Sequence, residues 1–572
     1  MKAALAELTW VLLVCTASIT QQLPQSGTSG AQAQPALPKQ NVTQGFSIAG
    51  VVVNSLSGQP VAAARVAIAR VAQGTDRDIT QSLTTGNDGR FLFTGLSRGK
   101  YSLMATARGF SLQYFDHHDP FATAIAVGPN LDSGNLVFRF EPDAAVDGTV
   151  TDDNNDPIQY AMVRLFQRST EAGVQKTEPV NQSQTDDQGH YHIGHLEPGT
   201  YYLAVSARPW YAQNTHPRIF NQTAQSSYSA SSQSGTDSSL DVTYPLTFYS
   251  GTLDSAAATP LQLTPGERAT ADISLHAVPS VHLRIHTGAS ETPVLGRMIF
   301  PRVWQQVFDG YLDSVSNAPD SWIAPGVVEI SGLAPGHYVV EVPPSTTVRE
   351  KDGSRGWYRE IDLTGDTDIN ISDSSGFANV SGIILFPAHV PAHASIQLSN
   401  SSTGEVFRSD IDPHGGFDFK SDNVRPGRYL IGLDASSGYS LVKLAATGAK
   451  LTGRMIDIGN NASIRISGIA TQGAALVTGT AIREGEPYAG AMIVLVPEDP
   501  SDNLPLFRRD QSDSDGTFSL GNVVPGQYTV LAIANGWDLE WANPASLQPY
   551  WKGGQSIQVP AAGKLDVKVQ VQ

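Results

Sequence analysis

Only one cysteine occurs in the 572 residues, Cys15, and it lies in the N-terminal segment. The rest of the chain therefore offers no disulfide, no thiolate metal site and no catalytic thiol. Charge is sparse at 16% of residues, and the balance is acidic, with net charge −17 and a pI near 5.1. No Lys/Arg cluster is present, so the basic footprint of a nucleic-acid binder is missing, as is the polybasic stretch that attaches proteins to anionic lipid. No apolar run reaches the roughly 20 residues of a spanning helix. The signatures His-x-x-Glu, His-Glu-x-x-His, Gly-x-Ser-x-Gly and Gly-x-x-x-x-Gly-Lys-Ser/Thr are all absent. Zinc peptidase, serine hydrolase and P-loop chemistry thus lose their sequence support, and the chain reads as non-enzymatic with no cofactor.

What is present is apolar content of 40% with 53 glycines and 35 prolines. That suits folded β domains with many turns. The length exceeds what a single core serves, since cores stop growing near about 250–300 residues. Residues 1–30 read as an export signal: Lys2 supplies the positive end and Leu8 to Ile19 an apolar stretch, with a small-residue site at Ala31-Gln-Ala33. An uncleaved anchor is the alternative, and it gives the only membrane contact expected. Val14 stands where a lipoprotein signal wants a small residue before Cys15, so lipidation is not expected. Residues 31–44 are a linker. The export signal places the protein outside the cytoplasm, as a secreted, periplasmic or cell-surface protein.

Internal repeats decide the architecture. One phrase occurs five times: Leu96-Ser-Arg-Gly99-Lys-Tyr101, Leu196-Glu-Pro-Gly199-Thr-Tyr201, Leu333-Ala-Pro-Gly336-His-Tyr338, Val424-Arg-Pro-Gly427-Arg-Tyr429 and Val523-Val-Pro-Gly526-Gln-Tyr528. Alternating apolar residues follow each Tyr, as in a half-buried strand. A second phrase lies upstream: Asp88-Gly89-Arg-Phe91, Gln188-Gly189-His-Tyr191, Gly415-Gly416-Phe417 and Asp515-Gly516-Thr-Phe518. Gly89, Gly189 and Gly516 each stand twelve residues before the Tyr and are expected to adopt positive φ in a turn between two strands; Gly326 keeps that spacing in the third repeat. A third phrase opens the units, as in Gly50-Val-Val-Val before Ala64-Arg-Val66, Gly148-Thr-Val before Ala161-Met-Val163, and Gly479-Thr-Ala before Ala491-Met-Ile493. Seven or so short strands per repeat, with turns every 8–12 residues, make a β-sandwich.

The expected fold is all-β, a tandem array of about five transthyretin-like or immunoglobulin-like sandwiches after the N-terminal segment. The units span 45–141, 142–278 with a Ser-rich loop over 221–240, a divergent 279–375, 376–472 and 473–572. At the three phrases just quoted the chain resembles the carboxypeptidase regulatory-like family, whose pattern is G-x-V, then G-x-P-[IV]-x-x-A-x-V, D-G-x-F and L-x-x-G-x-Y-x-L. Units one, two and five fit well, unit four keeps the later half, and unit three keeps little beyond Gly336-His-Tyr338. The resemblance implies a seven-stranded sandwich serving as an accessory domain. It does not imply peptidase activity, since fold does not fix function.

Two loops carry residues of metal-ligand type. Asp116-His-His118-Asp119 has adjacent histidines but no further ligand, and reads as a solvated turn. Asp513-Ser-Asp515-Gly516 lacks the late glutamate of a calcium loop and reads as a hairpin turn. The aromatics are the better clue. Trp537, Trp541, Tyr550 and Trp551 cluster in the last unit, and Trp210-Tyr211 takes the matching place in the second. Flat rings stack on sugars and dominate protein interfaces, so if the last unit binds a ligand these residues line one exposed face or cleft; core packing or loop anchoring is the alternative, since Trp is usually well buried. The repeated residues Tyr101, Tyr201, Tyr338, Tyr429 and Tyr528 read as structural, each bonding its hydroxyl to nearby backbone. The functional expectation is a non-catalytic structural, adhesive or carbohydrate-binding protein of the envelope, with carbohydrate or envelope proteins as partners and no nucleic acid. An accessory subunit of an envelope enzyme or transporter is the alternative.

Overall fold

The computed structural model describes residues 45–572 apart from 72–78, 119, 172–173, 214–237, 287–300, 309–310, 316–319, 325, 343–356, 372–375, 402, 420–423, 435–438, 473–474 and 562. The signal and linker, with Cys15, lie outside the described residues, as does most of the Ser-rich loop, of which Ser238–Leu240 forms a short 3-10 turn. Of the described residues 60% are in strands and 4% in helix. No helix among them is long and apolar enough to cross a membrane.

Five separate apolar cores follow one another along the chain. They run from Ile48 to Phe140, Ala144 to Leu275, Val281 to Ile369, Ala378 to Ala470 and Ala475 to Val569. Each is enclosed between two sheets. In the first sandwich Phe46–Asn54 lies between Leu136–Phe140 and Arg90–Leu96, facing a second sheet in which Gly99–Ala107 pairs with Arg65–Arg70. The alternation after Tyr101 faces this core, with Tyr101, Leu103 and Ala105 buried and Lys100 and Ser102 less so. In all five sandwiches the opening strand pairs in parallel with the closing strand and antiparallel with the strand after the glycine turn.

The repeated phrases fix this arrangement locally. Gly89, Gly189 and Gly516 have φ of +66°, +73° and +75°. A Cβ at Gly89 or Gly189 would stand 2.5 Å from the carbonyl oxygen of Val52 or Val150. The same glycines accept a bond from the opening strand, at 2.9 Å from Val52, 2.8 Å from Val150 and 2.8 Å from Ala481. The turn is therefore clamped to the strand it faces, and a side chain there would break the clamp. Gly326 has φ +71° without an Asp before it. The five tyrosines repeat one bond. Tyr101, Tyr201, Tyr338, Tyr429 and Tyr528 donate their hydroxyls to the carbonyls of Ser97, Glu197, Ala334, Arg425 and Val524, four residues back, at 2.8–3.0 Å. The ring fills the core and the hydroxyl satisfies a turn carbonyl that would otherwise be stranded there.

The sandwiches are joined by built contacts. Between the second and third, Arg164 pairs with Asp313, and the Phe308 ring packs among Phe166, Tyr202 and Phe248 at 5.0–5.7 Å. At the same junction the buried Glu329 takes a bond from Arg284 at 2.9 Å, and His282 meets Asp241 at 2.7 Å. Between the third and fourth, Arg425 pairs with Glu341 and Glu405 and lies over Trp304.

Candidate functional site

The aromatic segment of the last sandwich connects the strands Gly526–Ile533 and Gln555–Val559. It holds the short helix Pro544–Leu547, capped by the Asn543 side chain, and the 3-10 turn Gln548–Gly553. Beneath it runs Met492–Pro497, every residue of which is buried. The inner face of that strand gives Ile493 and Leu495 to the sandwich core. Its outer face gives Met492, Val494 and Val496 to a second cluster with Phe507, Leu531, Ile533, Trp541 and Leu547. The segment is thus a cover over the outside of a sheet, which is why the strand is apolar on both faces.

That cover corrects the expected ligand face. Trp541 is 8% exposed and lies edge-on to Phe507, with the Arg509 guanidinium 4.8 Å above its ring. Trp537 is half-buried, donates to the Gly490 carbonyl at 3.2 Å and stacks on His118 of the first sandwich at 4.4 Å and 9°. Tyr550 packs against the same cluster, and Trp551 alone is exposed, at 43%. The four aromatics do not share one open face, because the outer apolar sheet recruits two of the indoles. Elsewhere Trp210 is 93% exposed, edge-on to Tyr211 at 5.8 Å.

Trp537 marks a larger contact, since the fifth sandwich docks on the first. The array is sequential in the chain, but its two ends meet. Arg509 reaches over Phe121 at 5.0 Å as well as over Trp537 and Trp541. The buried Gln511 meets His118 Nδ1 at 3.1 Å and donates to the Asp116 carbonyl and the Thr123 hydroxyl, each at 2.7 Å. The glycine turn of the fifth sandwich lies against the strand Ile125–Val127. Ser514 N donates to the Ala124 carbonyl at 3.0 Å, Ala126 N to Ser514 Oγ at 2.8 Å, and Ala124 N to Asp513 Oδ1 at 3.0 Å. Lys100 pairs with Asp513 and lies 3.6 Å from Asp515. Burial raises the Asp513 carboxyl above its usual range against the pull of Lys100.

Both loops weighed for metal are therefore docking elements. Asp116 accepts from Thr123 at 2.6 Å, His118 is stacked, and the two aspartates of the last turn face an ammonium. Among the described residues no three His, Cys, Asp or Glu side chains converge as a metal-ligand set. Sequence reasoning missed Arg509 and Gln511. Neither belongs to a repeated phrase, and their partners stand some 390 residues away.

The carboxypeptidase regulatory-like domain family matches residues 47–127 and 145–276, and the chain carries that domain repeated in its first two sandwiches. No curated protein matches the chain. Among solved structures, the Bacillus anthracis TIE protein aligns over 76% of this chain and 69% of its own at 12% identity, with TM-score 0.15. The minor pilin GBS52 of Streptococcus agalactiae aligns over 43% of this chain and 99% of its own at 14% identity, with TM-score 0.21. The shaft pilin spaA of Lactobacillus rhamnosus GG aligns over 41% and 98% at 8% identity, with TM-score 0.18.

Proposed function

We propose that this protein is a non-catalytic structural and adhesive scaffold of the cell surface or its surroundings, binding carbohydrate or an envelope protein through exposed rings. The observation that carries the reading is the docking of the last sandwich on the first through Lys100, Gln511, Asp513 and the stacked His118 and Trp537. Side chains of the kinds that often serve chemistry are committed here to holding domains together. A body held at both ends presents its surface rings in fixed relation, which lowers the ordering cost of binding. Trp210 and Tyr211 supply the adhesive patch, since a ring with a free face adds about 0.5–1.5 kcal/mol on stacking beyond area burial. The N-terminal export signal supports the location.

The test is co-sedimentation of the full chain with insoluble polysaccharides and washed cell envelopes. Retention that falls several-fold in Trp210→Ala, with melting unchanged, is the expected result. Absence of retention on every surface, or retention indifferent to Trp210, would remove the adhesive half of the proposal.

A further inference from the structure

A cavity of about 360 Å³ lies between the fourth and fifth sandwiches. Its apolar walls include Ile431, Leu433 and Leu441 from the fourth and Leu506 and Val524 from the fifth. Two arginines line it, one from each sandwich. Arg454 precedes the strand Met455–Ile458, in a turn whose Gly453 is pressed against the Asp502 backbone of the fifth sandwich. Arg508 opens the strand Arg508–Gln511.

These two differ from the arginines at the second-to-third and third-to-fourth junctions. Arg164, Arg284 and Arg425 each meet a carboxylate. Arg454 and Arg508 bond only to carbonyl oxygens among the described residues: Arg454 to Leu441, and Arg508 to Pro505 and Phe507 at 2.9 and 2.8 Å and to Asn522 at 3.3 Å. No ion pair within 4.0 Å joins either to a described carboxylate. Burial is the main cause lowering both guanidiniums, Arg454 to about 10, and the charge of Arg508 adds to the effect on Arg454. An arginine guanidinium keeps its charge at neutral pH. Two like charges in an apolar recess without a counter-charge form a costly arrangement, and an anion brought between them relieves it. A net charge of −17 gives the protein no general attraction for anions, so only a local site of this kind holds one.

We propose that the cavity binds a small organic anion, with a carboxylate or phosphate head between Arg454 and Arg508 and an apolar body against the leucines and Val524. The N–H donors not already given to carbonyls, most of them on Arg454, suit either head. The volume falls in the range of small-molecule sites, about 300–1,000 Å³. The site spans two sandwiches, so its occupant also fastens one to the other.

The probes are octanoate, octyl phosphate and the uncharged isostere octanamide, titrated calorimetrically into the full chain. Binding of an anion at least about tenfold tighter than the amide supports the site, that being the scale of a hydrogen bond to a charged group. The tighter of the two anions identifies the head. Arg454→Met and Arg508→Met, which keep the apolar stem, are each expected to weaken the anion about tenfold or more. Octanamide binding as well as octanoate, or neither anion binding at millimolar concentration, would overturn the proposal. The comparison of acid with amide uses the unaltered protein, so it holds even where a variant folds poorly.

Discussion

Trp541→Ala separates a covering role from a ligand-binding one. The indole is 8% exposed, over the outer face of Met492–Pro497 and Gly526–Ile533, with Phe507 at its edge and Arg509 above it. Truncating a buried Trp costs about 3–5 kcal/mol, and the loss includes its aromatic-pair and cation–π contributions of about 0.5–2 kcal/mol each. Relaxation of the Pro544–Leu547 segment into the space sets the lower end. For a sandwich of this size each kcal/mol moves melting by about 4–8 °C, so a fall of roughly 12 °C or more is expected in the transition of the last sandwich. Hydrogen exchange on the full chain localises the effect: amides of Met492–Pro497 and Gly526–Ile533 exchange faster, and those of the second sandwich do not. Trp551→Ala, at an exposed site, changes stability by less than about 0.5 kcal/mol. Unchanged exchange and melting in Trp541→Ala, or equal damage from Trp551→Ala, would refute the covering role.

Gly516→Val is expected to destabilise the last sandwich by about 1–3 kcal/mol, because φ is +75° and a Cβ would meet Pro487 at 2.8 Å; chemical denaturation of the full chain reads it. Lys100→Met leaves Asp513 and Asp515 without their ammonium and weakens the first-to-last docking by about 1–3 kcal/mol, between exposed and buried pairs. Small-angle scattering then shows a larger radius of gyration, and an unchanged radius counts against the latch. Burial raises the Asp510 carboxyl to about 6 from 3.8. A carboxyl raised in the folded state takes up a proton there first, so this group's contribution to stability is least favourable above pH 6 and becomes more favourable as pH falls towards 4, by the order of 2–3 kcal/mol. Asp510→Asn flattens that rise in a pH series of melting curves.

The repeated phrases were legible because each encodes a local constraint. In four of the five repeats twelve residues separate a left-handed glycine from a Tyr whose hydroxyl reaches four residues back, and this holds even where the third repeat has lost its Asp-Gly. The parallel pairing of opening and closing strands joins segments some 85 residues apart and left no local mark. The aromatic segment was misread although its signal was present. Met492-Ile-Val-Leu-Val496 is apolar without alternation, so the strand must be covered on both faces, and the indoles downstream were the material at hand to cover it. Arg454 sits in a turn of the fourth sandwich and Arg508 at the start of a strand of the fifth, and only folding brings them to one cavity.

The side-by-side opening and closing strands bear on how the protein responds to being pulled. Because they run parallel, the chain enters each sandwich at one end of the pair and leaves at the other; in the last sandwich the register holds from Ala475 opposite Gly563 to Ile482 opposite Gln570. Tension along the chain loads these bonds together, in shear, instead of opening them one after another like a zipper. The contact between first and last sandwiches is strained by any stretch of the chain between them. Under load it is expected to open before the sheared strand pairs, lengthening the molecule while every sandwich stays folded, and single-molecule stretching reads this as a first short step. A protein built this way is expected to give way by a fixed increment, then to resist, and to recover when the two ends find each other again.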